Sequence, residues 1–296
     1  MPELPDITVY IEALGQRVLG QRLQALHIAN PFLLRTAEPP LASVLGGRVT
    51  ALRRLGKRIA FGFDNDHWLV LHLMIAGRLH WFGTGTRVSG RKALARFEFG
   101  SGTLTLTEAG TQRRAALHLV VGERRLAAHE RAGLQVLDSD VAQFATRLRS
   151  ENHTLKRALT DPMLFSGIGN AYSDEILHAA RLSPVTLTRN LSDEEVARLH
   201  DTTVAVLRDW TERLRREAAG AFPEKVTAFR PGFAVHGRFR KPCPVCGTAV
   251  QRIRYASNET NYCPRCQTQG RVLADRSLSR LLKDDWPRSI EELEAK

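Results

Sequence analysis

The sequence lacks any long hydrophobic run. No stretch of about 18 apolar residues occurs among its 296 positions, so we expect no transmembrane helix and no membrane partner. A secretory signal is not expected either, because Glu3 and Asp6 stand where a basic region and an apolar segment are required. With 43% hydrophobic and 25% charged residues, and no repeats or low-complexity segments, the composition is that of an ordinary globular protein. The length allows two domains, or three small ones.

Acidic residues are scarce in two parts of a chain whose net charge is +12. Residues 39–63 contain five basic residues and no acid, and residues 225–271 contain nine basic residues and only Glu259. Arginines outnumber lysines 36 to seven, so a biased genome composition is an alternative explanation of the charge. Clustering of the charge, however, is typical of proteins that bind nucleic acid. The clustered residues are Arg48, Arg53, Arg54, Lys57 and Arg58, then Lys225, Arg230, Arg238, Arg240, Lys241, Arg252, Arg254, Arg265 and Arg271.

Cysteine is rare, and all four cysteines fall within one short segment. Cys243 and Cys246 form one Cys-x-x-Cys pair, and Cys263 and Cys266 form a second. Two such pairs at this separation suit tetrahedral thiolate ligation of one zinc ion. Disulfides would require an oxidising compartment, and a redox motif would require only one pair beside a βαβ unit. We therefore expect one structural Zn²⁺, which uses all four ligands and leaves no open position for chemistry.

Hydrophobic periodicity divides the chain into a strand-rich part and a helical part. Residues 3–19 have apolar positions at helical spacing. Short apolar runs separated by turn residues then predict a β-sandwich or barrel up to about residue 126. From about 140 to 218 the pattern is helical, with Ser192 as a candidate helix cap. The predicted strand runs are 23–28, 58–63, 68–74, 95–99, 104–107 and 116–121.

Two glycines precede one of the predicted helices. Gly167 and Gly169 stand just before Asn170, in a segment that continues as a helix through Glu175. Glycines at such a position let the backbone approach an anion, and the free N–H groups of the first turn hold a phosphate. A tight interhelical turn is the alternative explanation of the same residues.

The chain begins Met1-Pro2-Glu3. Methionine is generally removed before a small residue such as proline, which would leave Pro2 with a free secondary amine. Such an amine can attack a sugar aldehyde carbon and form an iminium ion, which is covalent catalysis by an amine. Glu3 would be adjacent for proton transfer. Because many proteins begin with Met-Pro, this motif has weight only together with the others.

Together, the N-terminal motif, the Gly-Ile-Gly-Asn segment and the four-cysteine segment resemble the formamidopyrimidine-DNA glycosylase / endonuclease VIII family over about residues 1–267. The resemblance implies an α+β multidomain fold: a two-layered β-sandwich with flanking helices, a helix–two-turn–helix domain and a zinc finger. Its expected bounds are 1–130, 140–225 and 226–268, followed by a tail, 269–296. It also implies that damaged DNA lies between the domains with the damaged base flipped out.

The resemblance assigns catalytic and DNA-binding roles to named positions. Pro2 matches the nucleophile that attacks C1′, Glu3 the acid that assists opening of the sugar ring, and Lys57 a lysine near the lesion phosphate. His72, Asn170 and Arg238 match DNA-contacting positions, and Glu175 matches a buried structural acid. A surface lysine and a core histidine are the alternatives for Lys57 and His72.

The sequence also departs from the family's pattern. Ile75, preceded by Met74, stands where a methionine wedge is usual. The loop 107–114 lacks the usual opposite-strand residues, so Arg113 and Arg114 are proposed as substitutes. Asn258 stands where the zinc-finger turn usually has arginine, Asp6 replaces a usual glutamate, and about 30 residues follow Cys266.

We therefore expect a bifunctional DNA glycosylase and AP lyase of base excision repair that acts on double-stranded damaged DNA as a monomer in the bacterial cytoplasm, associated with the nucleoid. One alternative is a catalytically weakened damaged-DNA binding protein of the same fold, which the unfilled arginine positions favour. A zinc-ribbon module of transcription or translation machinery is a more distant alternative, because it leaves Pro2, Glu3 and Lys57 unexplained. Which lesion is preferred does not follow from these residues.

Overall fold

The chain divides into two compact units. In the computed structural model, one unit comprises residues 1–131 with 209–227, and the other comprises residues 132–208 with 228–296. The model describes residues 1–86, 93–109, 113–224, 226–227, 229–255, 258–275, 279–281, 283 and 286–295. Lys225 and positions 110–112, which were part of the predictions above, lie outside these residues.

The first unit begins with helix α1 and continues as two antiparallel sheets. Within the described ranges, each sheet has four strands, in the orders β1-β6-β7-β5 and β2-β3-β4-β8. A short helix, α2, follows the last strand. The elements are α1 (Leu4–Val18), β1 (Leu23–Ile28), β2 (Val49–Leu55), β3 (Arg58–Phe63), β4 (His67–His72), β5 (Gly77–Phe82), β6 (Ala93–Phe99), β7 (Gly102–Glu108), β8 (Ala116–Val121) and α2 (Glu123–Ala127).

The hydrophobic core of the first unit lies between these sheets. Alternate residues of a strand point to opposite faces, so each sheet directs one row of apolar side chains inward. Phe61 of β3 and Phe97 of β6 stack with ring centroids 6.4 Å apart, and Ile7, Tyr10 and Leu14 of α1 pack into the same cluster. The predicted sandwich with a flanking helix is confirmed.

The opposite face of the β2-β3-β4-β8 sheet is partly covered by α2. Ala60, Trp68, Val70 and Leu126 form a smaller apolar cluster there. The Arg53 guanidinium lies 4.5 Å from the centre of the Trp68 ring. Charged residues therefore lie on the outer face of this sheet beside its apolar cluster.

The strand predictions were wrong at one end and missed two strands. The predicted run 68–74 extends two residues too far. β4 stops at His72, and Met74 adopts a left-handed φ of 52° in the following turn. Neither β2 nor β5 was predicted, since charged residues such as Arg53 interrupt their apolar positions.

The second unit contains most of the helices and the four-cysteine segment. Ser192 caps α6 as predicted, because its Oγ accepts from the Glu195 N–H at 3.2 Å and its own N–H donates to the Glu195 carboxylate at 3.1 Å. The division between the two units falls within α6. The elements are α3 (Val141–Arg149), α4 (Leu155–Thr160), α5 (Asn170–Ala179), α6 (Asp193–Ala218), β9 (Gln251–Tyr255), β10 (Asn258–Tyr262), α7 (Pro264–Thr268) and a terminal helix (Ile290–Glu294).

The residues after Cys266 fold back on the β9–β10 hairpin. Leu273 N donates to the Tyr262 hydroxyl at 2.7 Å, and the buried Asp275 accepts from the backbone N–H of Arg254 in β9 at 2.6 Å. Val272 N donates to Arg288 O at 3.0 Å. Among the described residues, no helix is both long enough and apolar enough to cross a bilayer.

Candidate functional site

The N-terminal residues are held at the start of α1. Pro2 and Glu3 are buried, and the Glu3 N–H donates to Asp6 Oδ2 at 2.8 Å. An acidic side chain that accepts from a backbone N–H at the helix start also interacts favourably with the helix dipole. The shorter Asp6 side chain therefore still reaches the N–H group that fixes Glu3.

Charged side chains surround the terminal amine. Burial lowers the pKa of the Met1 α-amino group, the Glu3 and Asp6 carboxylates oppose that shift, and Arg78 and Lys57 add to it. A lower pKa increases the fraction of neutral, nucleophilic amine. Glu3 and Lys57 thus lie close enough to the chain terminus to interact with it electrostatically.

Arg78 was not among the predicted site residues. Its Nη1 donates to Gly77 O at 2.7 Å and to Ile75 O at 3.2 Å, so its guanidinium closes the turn between β4 and β5. Gly77 leaves no room for a Cβ against Leu73 O. The only indication of Arg78 in the sequence is that it follows Ile75, the predicted wedge residue, by three positions.

The turn between β4 and β5 exposes an apolar side chain. Ile75 is 58% exposed, and the preceding Met74 is half-buried. An exposed isoleucine on a turn held by Gly77 and Arg78 has the shape of a wedge that could enter a base stack.

His72 and Lys57 lie on neighbouring parts of the same sheet. Lys57 is in the turn between β2 and β3, and His72 faces Arg58 across β3 and β4. Burial lowers the pKa of His72 to about 4, and Arg58, Lys57 and His118 add to the effect. The ring is therefore neutral at pH 7. Because it is also half-buried, it can pack against its neighbours and still offer one N–H donor at the surface.

One buried carboxylate connects the end of β7 to the residues just before β8. Glu108 accepts from the backbone N–H groups of Arg114 and Ala115, each at 3.1 Å. Arg113 and Arg114 are both exposed.

In the second unit, Asn170 is the first residue of α5, and its side chain is partly exposed. Gly167 has a φ of 82°, a conformation that suits glycine. The Lys156 Nζ donates to Asn170 O at 2.6 Å and to Ser173 Oγ at 2.8 Å. The two glycines and Lys156 together fix the start of this helix.

Two adjacent carboxylates connect α5 to distant parts of the second unit. Asp174 Oδ2 accepts from His236 Nδ1 at 2.8 Å and from Asn261 N at 3.2 Å. Glu175 accepts from the backbone N–H groups of Ala234, Val235 and His236 at 2.6 to 2.9 Å. Burial raises the pKa of Glu175, and these three N–H groups oppose the increase.

These carboxylates hold the segment that leads to Arg238. Its guanidinium is partly buried and donates to Pro242 O at 2.9 Å. Lys156, Asp174, His236 and Asn261 were not predicted, because no local motif connects positions so far apart in the sequence.

The four cysteines form a closed metal site. Their sulfur atoms all lie within 4.8 Å of one another, with Cys246 and Cys263 3.4 Å apart and Cys243 and Cys266 4.0 Å apart. Tetrahedral zinc with Zn–S bonds of about 2.3 Å requires sulfur atoms about 3.8 Å apart. These distances fit one structural zinc ion, and this prediction is confirmed.

Three family models match the chain in succession. The formamidopyrimidine-DNA glycosylase N-terminal domain matches residues 1–131, the formamidopyrimidine-DNA glycosylase H2TH domain matches residues 134–217, and the zinc finger found in FPG and IleRS matches residues 240–269. The models therefore cover the sandwich, most of the helices and the cysteine hairpin.

Curated relatives match over most of their own length. An uncharacterized formamidopyrimidine-DNA glycosylase-like protein of Mycobacterium tuberculosis is 40% identical over 151 residues, which are 51% of this chain and 94% of that protein. The formamidopyrimidine-DNA glycosylase of Heliobacterium modesticaldum is 31% identical over 286 residues, covering 90% of this chain and 100% of the relative.

Solved structures agree in fold. The Lactococcus lactis Fpg in complex with DNA containing an abasic site superposes with a TM-score of 0.79 at 24% identity, covering 90% of this chain and 99% of that one. A complex of the same protein with DNA containing an oxidized pyrimidine gives a TM-score of 0.80, also at 24% identity.

Proposed function

The chain belongs to the formamidopyrimidine-DNA glycosylase family, and from that membership we propose that it is a bifunctional DNA glycosylase and AP lyase of base excision repair. The observation that supports this most directly is the set of charged groups around the N-terminus. Glu3, Lys57 and Arg78 all act on the α-amino group of Met1, one residue from the Pro2 nitrogen, and burial lowers the pKa of that group.

The proposed chemistry begins when removal of Met1 frees the secondary amine of Pro2. The amine attacks C1′ of the damaged nucleotide, the N-glycosidic bond breaks, and the base leaves with the bonding electrons. Glu3 takes up the proton that the Pro2 nitrogen loses and passes it to the sugar ring oxygen as the C1′–O4′ bond breaks, which gives an iminium ion between the Pro2 nitrogen and C1′.

The iminium ion makes strand cleavage possible. It withdraws electrons from C2′, so a C2′ proton is lost and the 3′ phosphate leaves by β-elimination. A second elimination can release the 5′ phosphate in the same way, and hydrolysis then frees Pro2. The cationic Lys57 and Arg78 favour these steps by stabilising negative charge near the amine.

DNA binding is assigned to side chains in both units. Lys57, His72, Asn170 and Arg238 bind backbone phosphates in this proposal, and Ile75 with Met74 fills the gap left by the flipped base. Arg113 and Arg114 approach the opposite strand. The zinc ion holds the β9–β10 hairpin in place and takes no part in the chemistry. We propose that the protein acts as a monomer in the bacterial cytoplasm, where it associates with the nucleoid.

Borohydride trapping on DNA with an abasic site tests the nucleophile. The wild-type protein, shown by mass spectrometry to lack Met1, should form a covalent adduct after reduction of the iminium ion. Pro2→Gly should form much less, while a His27→Gln control, at an exposed position with no assigned role, should still form the adduct. Equal trapping by Pro2→Gly, or no adduct with the wild type, would contradict the proposal.

A damaged-DNA binding protein without lyase activity is the second candidate. The observation that favours it is Asn258, which is exposed at the tip of the β9–β10 hairpin opposite Tyr255 and has no positive charge for a phosphate. Tight binding to abasic-site DNA without adduct or strand cleavage would select this candidate.

A further inference from the structure

Arg58 and His118, which the proposed function does not use, lie beside His72 on the outer face of the β2-β3-β4-β8 sheet. Arg58 of β3 pairs with His72 of β4, and His118 of β8 pairs with Val70 of β4. Residues two apart on a strand share a face, and directly paired residues share it too. Arg58, His72 and His118 therefore lie on one face, contributed by three adjacent strands.

A second histidine lies against His118. The ring of His129, which follows α2, is centred 4.6 Å from the His118 ring, with the two planes inclined by 56°. Arg58 Nη1 donates to the backbone carbonyl of His129 at 2.7 Å, which ties this segment to β3. Both imidazoles are half-buried, so part of each remains accessible to solvent.

The charges that act on these rings are all positive. Burial, His129, Arg58 and Arg35 lower the pKa of His118 to about 4, and burial and Arg58 lower the pKa of His129. Burial and Arg131 lower the pKa of Arg58 itself.

Glu130, the residue after His129, lines a cavity of about 400 Å³ together with Arg53 and Arg54. The charges that lower the pKa values of His118 and His129 come from basic residues. The concentration of positive charge would be stabilised by an anion.

A metal ion fits these residues less well than an anion. A metal site needs at least three His, Cys, Asp or Glu side chains close together. Among the described residues, only the four cysteines form such a group. Guanidinium groups such as Arg58 do not bind cations, and they match the geometry of phosphate oxygens.

We propose that Arg58, His118 and His129 form a phosphate-binding site beside the one assigned to Lys57 and His72. The site rests on the proposed function in one respect: the phosphate belongs to the DNA backbone, next to the phosphate at the lesion. Free inorganic phosphate has the same chemistry and is the other possible source.

Binding at this site is linked to proton uptake. A neutral imidazole offers one N–H donor, whereas a protonated imidazole offers two and a positive charge. A bound phosphate favours the charged form, so it raises the pKa of both rings and protons are taken up on binding. Affinity therefore increases as pH falls, by up to about tenfold per pH unit for each proton taken up.

The first test is a titration of the zinc-loaded wild-type protein with inorganic phosphate, followed by the imidazole NMR signals of His118 and His129. Phosphate should shift both signals and raise their pKa values, while the exposed His27 should respond much less. Unchanged signals at His118 and His129 would overturn the site. This arm does not depend on glycosylase activity.

The second test identifies the source of the phosphate. Affinity for an abasic-site duplex is measured at about pH 7.5 and pH 5.5 for the wild type, for a His118→Gln/His129→Gln variant and for a His27→Gln control. The wild type and the control should bind several-fold more tightly at the lower pH. The double variant should lose the part of this gain that comes from His118 and His129 and keep the part that comes from His72. An equal gain in all three proteins would overturn the assignment to DNA.

Borohydride trapping at pH 7.5 separates this inference from the proposed function. At a protein concentration that saturates the duplex, the double variant should still form the Pro2 adduct, because neither ring contacts the reacting atoms. A double variant that traps normally but keeps the full pH gain contradicts only the phosphate site. A wild type that fails to trap contradicts only the proposed chemistry, since the phosphate titration remains interpretable.

Discussion

Lys156 and Asp174 form an ion pair in the interior of the second unit. The Lys156 Nζ lies 2.5 Å from Asp174 Oδ1, and the two side chains are 12% and 0% exposed. The other carboxylate oxygen of Asp174 accepts from His236 and from Asn261. One aspartate therefore connects α4, the segment that leads to the zinc hairpin, and the hairpin itself.

Replacing Lys156 with methionine should destabilise the second unit by about 3 kcal/mol, because removal of one partner leaves a buried, unpaired carboxylate. Urea denaturation measures the change. Lys241→Met is the matched control, since Lys241 is exposed, and it should shift the free energy of unfolding by less than about 0.5 kcal/mol. Equal effects of the two substitutions would show that the buried pair contributes nothing special.

The free energy of unfolding should decrease as the pH falls from 6.5 to 4, because His72 becomes protonated more readily in the unfolded chain. The pKa of this ring is about 4 in the folded chain, against 6.5 for an unperturbed histidine, so the unfolded chain binds more protons in this range. The contribution is about 3 kcal/mol at the lower end. In phosphate-free buffer, His72→Gln should lose this part of the pH dependence, and His27→Gln should retain it.

Lys57 and Ile75 should affect DNA binding in different ways. Each phosphate neutralised adds about −0.9 to the slope of log K against log salt concentration, so Lys57→Gln should make the slope shallower by about one. Ile75→Ala should weaken binding to lesion-containing duplexes without changing the slope, because isoleucine releases no counterions. Fluorescence anisotropy at several salt concentrations measures both quantities. A changed slope with Ile75→Ala would argue against its role as a wedge.

Removal of zinc should loosen the hairpin and its surroundings selectively. Without the metal, nothing balances the charge of the four thiolates, and the small apolar cluster formed with Val235 and Val250 loses its centre. Hydrogen exchange in residues 240–275 should accelerate by orders of magnitude after chelation, whereas exchange in β3 and β4 should change little. Equal acceleration in both regions would contradict a purely local role. Metal analysis of the intact protein should find about one zinc per chain.

The parts of the fold that could be predicted from sequence are those with short-range signals. The spacing of Cys243, Cys246, Cys263 and Cys266 predicts the metal site because both pairs are local and the ligand chemistry is restrictive. The Ser192 cap followed from its position before an apolar periodic segment.

Other features depend on tertiary packing. In β2, Arg53 lies over the Trp68 ring, and this contact supports a charged residue within a strand that the apolar pattern missed. Arg78, beside the N-terminus, and Asp174, beside His236, act between positions about 60 or more residues apart. No motif in a single sequence predicts such pairs. Pro2, Glu3 and Lys57 could be recognised because a family pattern depends on the order of residues along the chain and not on their contacts.

The C-terminal segment that folds back on the zinc hairpin also affects self-association. A two-stranded sheet has open edges, and an unpaired backbone N–H on an edge strand is a place where a second chain can add a strand. The backbone N–H of Arg254 in β9 donates a hydrogen bond to the Asp275 carboxylate, so it is not available to another strand. The segment after Cys266 thus covers part of the open edge of β9, and this contact opposes edge-to-edge aggregation at that position.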